Sequence, residues 1–277
     1  MSRMGRIWLN DRLVDDEQAM VRVDDHGLTV GDGVFETMKA TGGTAFALTR
    51  HLDRLTRSAR GLGLADPDLD LVRRACAEVL AANPLPGTGR LRVTYTGGRS
   101  PLGSERGDAT PTLVVALGAA KPRAESTAVV TVPWTRNENA PTTGLKTTSY
   151  ADNVVMLGYA AARGATEALF ANTAGNLCEG TGSNVFVVLD GRLVTPPLSA
   201  GCLAGISRAL VLEWVGAEEV DVPLSILADA EEVFLTSSLR DIQAVHRIDE
   251  HTRSAPGPLT AKARDIFAAR AAADIDP

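Results

Sequence analysis

The sequence predicts a mixed α/β fold of the α+β kind, organised as two domains. Strand-sized apolar runs and helix-sized periodic stretches occur along the whole chain, which is typical of this class. A length of 277 residues suits two domains of roughly 100–200 residues each. A small, charged, proline-containing stretch near the middle is typical of a linker. We therefore predict a smaller N-terminal α/β domain over 1–118, a linker over 119–126 and a larger C-terminal domain over 127–277.

Short β-like runs separated by turn signals dominate the N-terminal part and favour an antiparallel sheet. A Gly-Gly pair joins two such runs over 34–48, which predicts a hairpin. Leu52, Leu55, Ala59 and Leu62 recur at helical spacing, so we expect a helix from Thr49, as its cap, to about Gly61. The remaining N-terminal predictions are a hairpin over 6–16, a helix over 66–82, and strands over 90–96 and 111–118.

The C-terminal part mixes strands and helices without an internal repeat. The predicted helices cover 149–164, 206–214 and 260–273. The predicted strands cover 127–134, 167–172, 183–197, 218–223, 232–238 and 244–249.

Composition argues against several classes of protein. The net charge is -6 and the arginines are interleaved with acids, so a nucleic-acid partner has no electrostatic support. No apolar run is long enough for a signal peptide or a membrane span. The three cysteines, Cys76, Cys178 and Cys202, are far apart and suggest neither disulfides nor a metal site. We expect a cytoplasmic protein with a small-molecule substrate and no metal.

Lysine is used selectively in this chain. The sequence has 24 arginines and four lysines, and one of the four is Lys146 in GLKTTSYADN. An amine can form a Schiff base and can lose its proton when partly buried, whereas a guanidinium does neither. Lys146 is therefore a candidate catalytic residue, and the alternative is a surface lysine at a turn.

Two other charged residues could bind a cofactor. Glu179, in LCEGTGSNVFVV, precedes an apolar strand, where its carboxylate could hold a protonated ring nitrogen. The alternative is an exposed glutamate at a turn. Arg54, in HLDRLTRSAR, lies off the apolar stripe of its helix and could bind a phosphate, or could be a solvated helix arginine.

Two segments have the composition of phosphate-binding loops. In GCLAGISRAL, Ile206 and Ser207 begin a helix, and helix N-terminal amides favour an anion. Ser207 could instead be a helix cap. In FLTSSLRDI, Thr236, Ser237 and Ser238 follow an apolar strand, where their hydroxyls could bind phosphate oxygens or form an ordinary polar turn.

These signals together fit pyridoxal 5′-phosphate. A lysine suits its aldehyde, a carboxylate suits its pyridine nitrogen, and an arginine with hydroxyl-rich loops suits its phosphate. The sequence therefore predicts a pyridoxal-phosphate enzyme.

The chain also resembles a known family over nearly its whole length, the class IV or fold-type IV pyridoxal-phosphate enzymes. HGLTVGDGVFETMKA is similar to the family's N-terminal motif, and HLDRL, GLKTTSYADN, CEGTGSNVF, LAGISR and FLTSSLRDIQAV resemble its later motifs in order. The resemblance implies two α/β domains with the cofactor in the cleft between them, and a homodimer. It implies a catalytic Schiff-base lysine at Lys146, a pyridine-nitrogen contact at Glu179, and phosphate contacts at Arg54, Ile206, Ser207, Ser237 and Ser238.

Within the family, GDGVFET with KTTSYADN most resembles the 4-amino-4-deoxychorismate lyases, which release p-aminobenzoate and pyruvate. Branched-chain enzymes carry a tyrosine-bearing first motif, and D-amino-acid transaminases place an arginine directly after the strand matching VTYT. Here Thr96-Gly97-Gly98 occupies that place, so Arg99 is the candidate contact for the substrate carboxylate. The alternatives are an aminotransferase of D-amino or branched-chain amino acids and, from another class, a non-catalytic small-molecule-binding protein.

Overall fold

A computed structural model describes residues 5–108 and 110–277, which divide into two compact units. The first unit consists of the described residues up to Lys121, with Leu145–Tyr150 and Ile275–Pro277. The second unit consists of Pro122–Gly144 and Ala151–Asp274. The chain thus leaves the first unit inside the stretch expected to be a linker.

Two short segments return to the first unit, although the sequence-based division places them in the C-terminal domain. Thr147 forms an antiparallel bridge with Val34. Near the C-terminus, the Ala47 amide donates to the Ile275 carbonyl at 2.8 Å. Pairing between distant stretches leaves no periodic signal in either partner, so the sequence pattern does not reveal these returns.

Among the described residues, the first unit contains one antiparallel sheet and three α-helices. Its elements are β1 (Arg6–Leu9), β2 (Arg12–Asp15), α1 (His26–Thr29), β3 (Gly33–Thr41), β4 (Thr44–Ala45), α2 (Leu48–Leu62), α3 (Leu69–Ala82), β5 (Gly89–Thr96) and β6 (Thr112–Ala119). The strand order is β2-β1-β6-β5-β3-β4. The predicted stripe of α2 is confirmed, because Leu52, Leu55 and Ala59 are fully buried in the core beside Met38 and Leu91.

The start of α2 differs from the prediction that Thr49 caps it. Thr49 is the second residue of the helix. The residue at the N-cap position, before the helix begins, is Ala47, which has a left-handed conformation with φ 54°. Asp276 supplies the cap instead, because its Oδ1 accepts from the Thr49 amide at 2.8 Å and its Oδ2 from the Thr49 hydroxyl at 2.6 Å. A carboxylate satisfies an amide that the first helical turn leaves without an intrahelical partner.

The second unit is built on a mixed sheet. Its elements are β7 (Ser126–Thr131), α4 (Ala151–Ala161), β8 (Glu167–Ala171), β9 (Leu177–Gly180), β10 (Asn184–Leu189), β11 (Arg192–Thr195), α5 (Ile206–Trp214), β12 (Glu218–Glu219), β13 (Glu232–Ser237), β14 (Asp241–Ile248), β15 (His251–Thr252) and α6 (Pro258–Ala273). The strand order is β12-β11-β10-β13-β14-β7-β8-β9, and β15 pairs with β14. The β11–β12, β14–β7 and β7–β8 pairs are parallel.

The sheet of the second unit is buried on both faces. In β7, Val129 belongs to one apolar cluster, whereas Ala128 and Val130 belong to another. Because neighbouring strand residues point to opposite faces, both faces are covered. The second of these clusters includes Met156 and Ala160 of α4.

The strands β9 and β12 differ from the sequence-based predictions. β9, which carries Glu179, was not predicted, because its four residues are too few for a periodic signal. The strand predicted over 218–223 is limited to Glu218–Glu219. No helix among the described residues has the length and apolar character needed to cross a membrane.

Candidate functional site

Lys146 belongs to the first unit, on a segment that runs beside the start of β3. Its carbonyl accepts a hydrogen bond from the Phe35 amide at 3.0 Å, and its amide donates to the Ser58 hydroxyl at 3.1 Å. Two residues later, the Thr148 amide donates to the Gly33 carbonyl at 2.7 Å. The backbone that carries the lysine is therefore fixed on both sides.

The Lys146 side chain is half-buried beside two aromatic rings. Its Nζ lies 4.3 Å from the centroid of Phe35 and 5.8 Å from that of Tyr150. The two rings meet edge to face, with centroids 5.2 Å apart. The Lys146 side chain is thus packed beside the rings of Phe35 and Tyr150. This environment differs from the alternative of a surface lysine at a turn.

Arg54 belongs to a buried cluster with Glu36 and His51. Its Nε and Nη2 donate to the two carboxylate oxygens of Glu36 at 2.8 and 2.6 Å, which is a bidentate arrangement. The Nδ1 atom of His51 lies 2.6 Å from Glu36 Oε2. All three side chains are buried, so the alternative of a solvated helix arginine is wrong.

The charges of this cluster follow from its geometry. Burial would raise the pKa of Glu36, but the charge and hydrogen bonds of Arg54, together with His51, lower it to about 2. Burial lowers the pKa of His51, and Glu36 offsets only part of that effect. Because an ionised carboxylate can only accept, Nδ1 of the neutral imidazole carries the proton. At neutral pH the cluster therefore contains an anion, a cation and a neutral histidine.

Glu179 is buried in β9 of the second unit. Its Oε2 accepts from the Leu203 amide at 3.0 Å, and its Oε1 lies 3.6 Å from Arg136 Nη2. The Arg136 guanidinium also lies 5.0 Å from the centroid of Phe170. A nearby cation offsets the cost of burying a carboxylate, so the alternative of an exposed turn glutamate is wrong.

Ile206 and Ser207 are the first two residues of α5, and both are buried. The N-cap residue is Gly205, and no side chain caps the helix there, so the alternative that Ser207 is the cap is wrong. The preceding loop is held by Asn184, whose Nδ2 donates to the Leu203 carbonyl at 2.9 Å. The start of α5 thus has the amides that favour an anion.

Ser237 ends β13, and Ser238 begins the turn to β14. The Arg240 amide closes this turn by donating to the Ser237 carbonyl at 3.0 Å. Thr236, one residue earlier, has a buried hydroxyl without a hydrogen-bond partner among the described residues. Burying a hydroxyl without a partner costs free energy. A phosphate bound nearby would supply an acceptor, so these hydroxyls fit a phosphate contact.

Arg99 is largely exposed and forms an ion pair with Asp24 at 3.1 Å. The next arginine along the chain, Arg106, makes a bidentate pair with Asp32 at 2.7 and 2.6 Å and is less exposed than Arg99. Of these two arginines, Arg99 is the more accessible to a solute. Its pair with Asp24 would have to open before it could bind a substrate carboxylate.

The family of this chain follows from its similarity to known proteins. The sequence profile described as amino-transferase class IV matches residues 33–248, a span that contains every predicted site residue. The chain belongs to the class IV aminotransferase family. Enzymes of this class use pyridoxal 5′-phosphate, so the predicted family and cofactor are confirmed.

Relatives of this class IV chain have several activities in their names. A Methanocaldococcus jannaschii protein, named provisionally as a branched-chain-amino-acid aminotransferase, is 33% identical over 95% of both chains. The bifunctional aminodeoxychorismate lyase / D-amino acid transaminase of Mycobacterium tuberculosis is 31% identical, over 88% of this chain and 91% of its own length. The crystal structure of the Thermoproteus uzoniensis branched-chain aminotransferase with norvaline has a TM-score of 0.89 at 28% identity, covering 95% of this chain and 93% of its own. The predicted fold is confirmed by this similarity.

Three residues that contact the predicted site residues of this class IV chain do not appear among the sequence-based predictions. Arg136 lies in an irregular loop before Lys146, where no periodic pattern points to its contact with Glu179. The contacts of Glu36 and His51 in the first unit could have been inferred from the sequence. An acid within an apolar strand, such as Glu36 in GVFETM, needs a buried cationic partner, and Arg54 and His51 provide the contacts.

Proposed function

We propose that this chain is a pyridoxal-phosphate-dependent 4-amino-4-deoxychorismate lyase. The observation that carries the proposal is the position of Lys146, half-buried beside Phe35 on a hydrogen-bonded backbone. The lyase-like motifs around it and the lyase named among the relatives favour this activity within the family.

Each unit by itself contains proposed cofactor contacts. In the first unit, Lys146 would attach to the aldehyde, and Arg54, oriented by Glu36, would donate to the phosphate. In the second unit, Glu179 would hold the protonated pyridine nitrogen. The phosphate would also be bound by the groups at the start of α5 and after β13, namely Ile206, Ser207, Ser237 and Ser238.

The cofactor, when bound, would supply a sink for the electrons released at the substrate carbon that bears the amine. The substrate amine would first displace the Lys146 amine from the aldehyde, and the freed amine would then remove the proton from that carbon. A base positioned in this way contributes roughly 10²–10⁴-fold. Enolpyruvate would then leave from the adjacent carbon and tautomerise to pyruvate, and the six-membered ring would become aromatic. The reaction needs no second amino substrate, because the products are p-aminobenzoate and pyruvate.

An aminotransferase is the second candidate, favoured by the names of several relatives. It would use the same residues, but Lys146 would return the proton without loss of enolpyruvate. The amino group would then pass to a keto acid. Arg99 is the proposed contact for a substrate carboxylate in either reaction.

Pyruvate release distinguishes the two reactions. With aminodeoxychorismate alone, the purified protein should release pyruvate over many turnovers, measured by a lactate dehydrogenase coupled assay. Lys146→Ala should abolish this release. Turnover that stops after one equivalent until a keto acid is added would identify an aminotransferase instead. A colourless protein that takes up no pyridoxal 5′-phosphate would support the non-catalytic binding protein.

We also propose that two copies of the chain form a homodimer. Six large apolar side chains between residues 20 and 102 of the first unit are exposed, and groups of this kind are typical of interfaces. The loop after β5 lies beside the segment before β3, because the His26 Nε2 atom is 3.0 Å from the Gly103 carbonyl oxygen. The exposed residues are Met20, Val21, Val23, Leu28, Val30 and Leu102.

A further inference from the structure

Glu167 is a buried carboxylate of the second unit that the proposed cofactor contacts do not include. It begins β8 and is 2% exposed. Its Oε1 accepts from the amides of Ala168 at 3.1 Å and Thr181 at 2.9 Å, and from the Thr181 hydroxyl. Its Oε2 accepts from the Gly182 amide at 3.3 Å and the Ser183 hydroxyl at 2.9 Å. The carboxylate is thus surrounded by donors.

Most of these donors belong to the turn that directly follows Glu179. This turn, Gly180–Ser183, joins β9 to β10 and is closed by the Gly180 amide, which donates to the Ser183 carbonyl at 2.7 Å. A Cβ atom at position 180 would lie 3.0 Å from Glu167 Cγ and 2.6 Å from Ser183 Oγ, so only glycine allows this approach. The placement of Glu179 therefore depends on the carboxylate that holds the turn.

The same carboxylate also contacts the turn after β13. Arg240 Nη2 lies 3.6 Å from Glu167 Oε2 and donates to the Thr166 carbonyl at 3.3 Å. The Arg240 amide donates to the carbonyl and hydroxyl oxygens of Ser237 at 3.0 and 3.2 Å. One side chain thus connects the turn after Glu179 with the turn that contains Ser237 and Ser238.

We propose that Glu167 is a positioning residue that sets the separation between the pyridine-binding and phosphate-binding groups of the second unit. This inference rests on the proposed cofactor roles of Glu179, Ser237 and Ser238. Pyridoxal 5′-phosphate carries its ring nitrogen and its phosphate at a fixed distance, so it binds tightly only when both groups are held at the matching separation. The affinity for a ligand that carries only the ring or only the phosphate does not depend on that separation.

The test is Glu167→Gln, which keeps one carbonyl oxygen for Thr181 but removes the charge and the second acceptor. A matched control is Glu232→Gln, because Glu232 is also a buried carboxylate at the start of a strand. It accepts from the amides of Leu259 and Thr260 at the start of α6, at 3.0 and 2.8 Å. Both variants lose a buried carboxylate, but only one loses a link between the two turns.

Dissociation constants of the apoproteins would be measured for pyridoxal 5′-phosphate, for pyridoxal and for inorganic phosphate. In Glu167→Gln we expect the dissociation constant for pyridoxal 5′-phosphate to rise at least about tenfold, the size of effect typical of groups that orient a ligand contact. The dissociation constants for pyridoxal and for inorganic phosphate should change less than about threefold. Glu232→Gln should leave all three near the wild-type values. An unchanged affinity for pyridoxal 5′-phosphate in Glu167→Gln, or an equal loss for all three ligands, would overturn the inference.

A second variant covers the case in which Glu167→Gln does not fold. Arg240→Gln leaves the hydrogen bonds of Glu167 to the turn after Glu179 and removes only the link to the other turn, so it should show the same selective loss in smaller degree. An Arg240→Gln protein that binds all three ligands as the wild type does would overturn the inference. Wild-type protein that does not bind pyridoxal 5′-phosphate would instead contradict the proposed function, and this inference with it.

Discussion

The carboxylate of Glu36 binds the guanidinium of Arg54 through two parallel hydrogen bonds, at 2.8 and 2.6 Å, in the interior of the first unit. An exposed pair in the same unit has the same geometry, because Arg60 binds Asp66 at 2.8 and 2.6 Å. The two pairs therefore differ mainly in burial. Desolvation makes the removal of one partner far more costly inside a protein than at its surface.

Glu36→Gln should lower the free energy of unfolding by about 3–5 kcal/mol, because it leaves the buried Arg54 charge without its anion. Urea denaturation at neutral pH measures this loss. The matched control is Asp66→Asn, which should cause no measurable change since its partner stays hydrated. Equal effects of the two substitutions would contradict the role assigned to burial.

The stability of the protein should fall as the pH drops below neutrality. The folded-state pKa of His51 lies below its usual 6.5 because the ring is buried. The folded-state pKa of Glu36 is lowered from 4.5 to about 2. A group with a lowered pKa stabilises the fold above its unfolded pKa, and that contribution is lost as the pH falls towards the folded value. The loss should therefore begin near the unfolded value of His51 and continue below that of Glu36.

Unfolding free energies measured between about pH 7 and pH 4 test this. His51→Gln cannot gain a proton, so its stability should change less than that of the wild type between about pH 6.5 and pH 5. The Glu36 shift alone corresponds to roughly 3 kcal/mol. A pH dependence of His51→Gln identical to the wild type would show that His51 does not supply the first step.

Lys146 should be the residue that borohydride links to the cofactor. The wild-type protein with pyridoxal 5′-phosphate should be yellow, and mass spectrometry after reduction should find the cofactor on a peptide containing Lys146. Lys146→Ala should bind the cofactor only loosely and show no such adduct. Lys121→Ala, which removes an exposed lysine, is the control and should retain the adduct. Attachment of the cofactor to any other lysine would contradict the proposal.

Arg136→Met should weaken binding of pyridoxal 5′-phosphate roughly tenfold, because Arg136 supports the carboxylate of Glu179 at 3.6 Å. Titration of the apoprotein, followed by absorbance, measures the change. Arg163→Met is a suitable control, since Arg163 also lies over a ring, 3.4 Å from the Tyr159 centroid. An Arg163→Met protein that loses as much affinity would contradict a specific effect of Arg136.

Val23→Asp combined with Leu28→Asp should convert the proposed dimer to monomers, because both side chains are exposed apolar residues of the first unit, at 79% and 65%. Sedimentation velocity of the purified proteins measures the change. Val220→Asp, on the second unit, should leave the dimer intact. A wild-type protein that sediments as a monomer at micromolar concentration would contradict the dimer itself.

Much of this fold could be predicted from local patterns. The stripe of α2 and the approximate span of α5 follow from periodic apolar residues, because packing on one face of a helix imposes that period. The residues that pair across long sequence distances could not be predicted in this way. Asp276 caps α2 from 227 positions away, and nothing near Thr49 indicates this partner.

The candidate site shows the same limit. Lys146, Arg54 and Glu179 are predicted as site residues because their residue types and motifs suggest specific chemistry. Their supporting partners were missed where the contact joins an irregular loop to a strand, as in Arg136 with Glu179. Glu36 could have been found, since a carboxylate on a buried strand needs a cation.

The chain order of the first unit has a consequence for its synthesis. A ribosome makes β1 to β6 early, but Leu145–Tyr150 and Ile275–Pro277 belong to the same unit and emerge much later. The bond from the Ala47 amide to Ile275 and the cap from Asp276 can form only after residues 275 and 276 have been synthesised. The nascent first unit therefore lacks the cap of α2 until a segment synthesised 227 positions after Thr49 has emerged, and a chain that stops before Asp276 would leave the N-terminus of α2 without it.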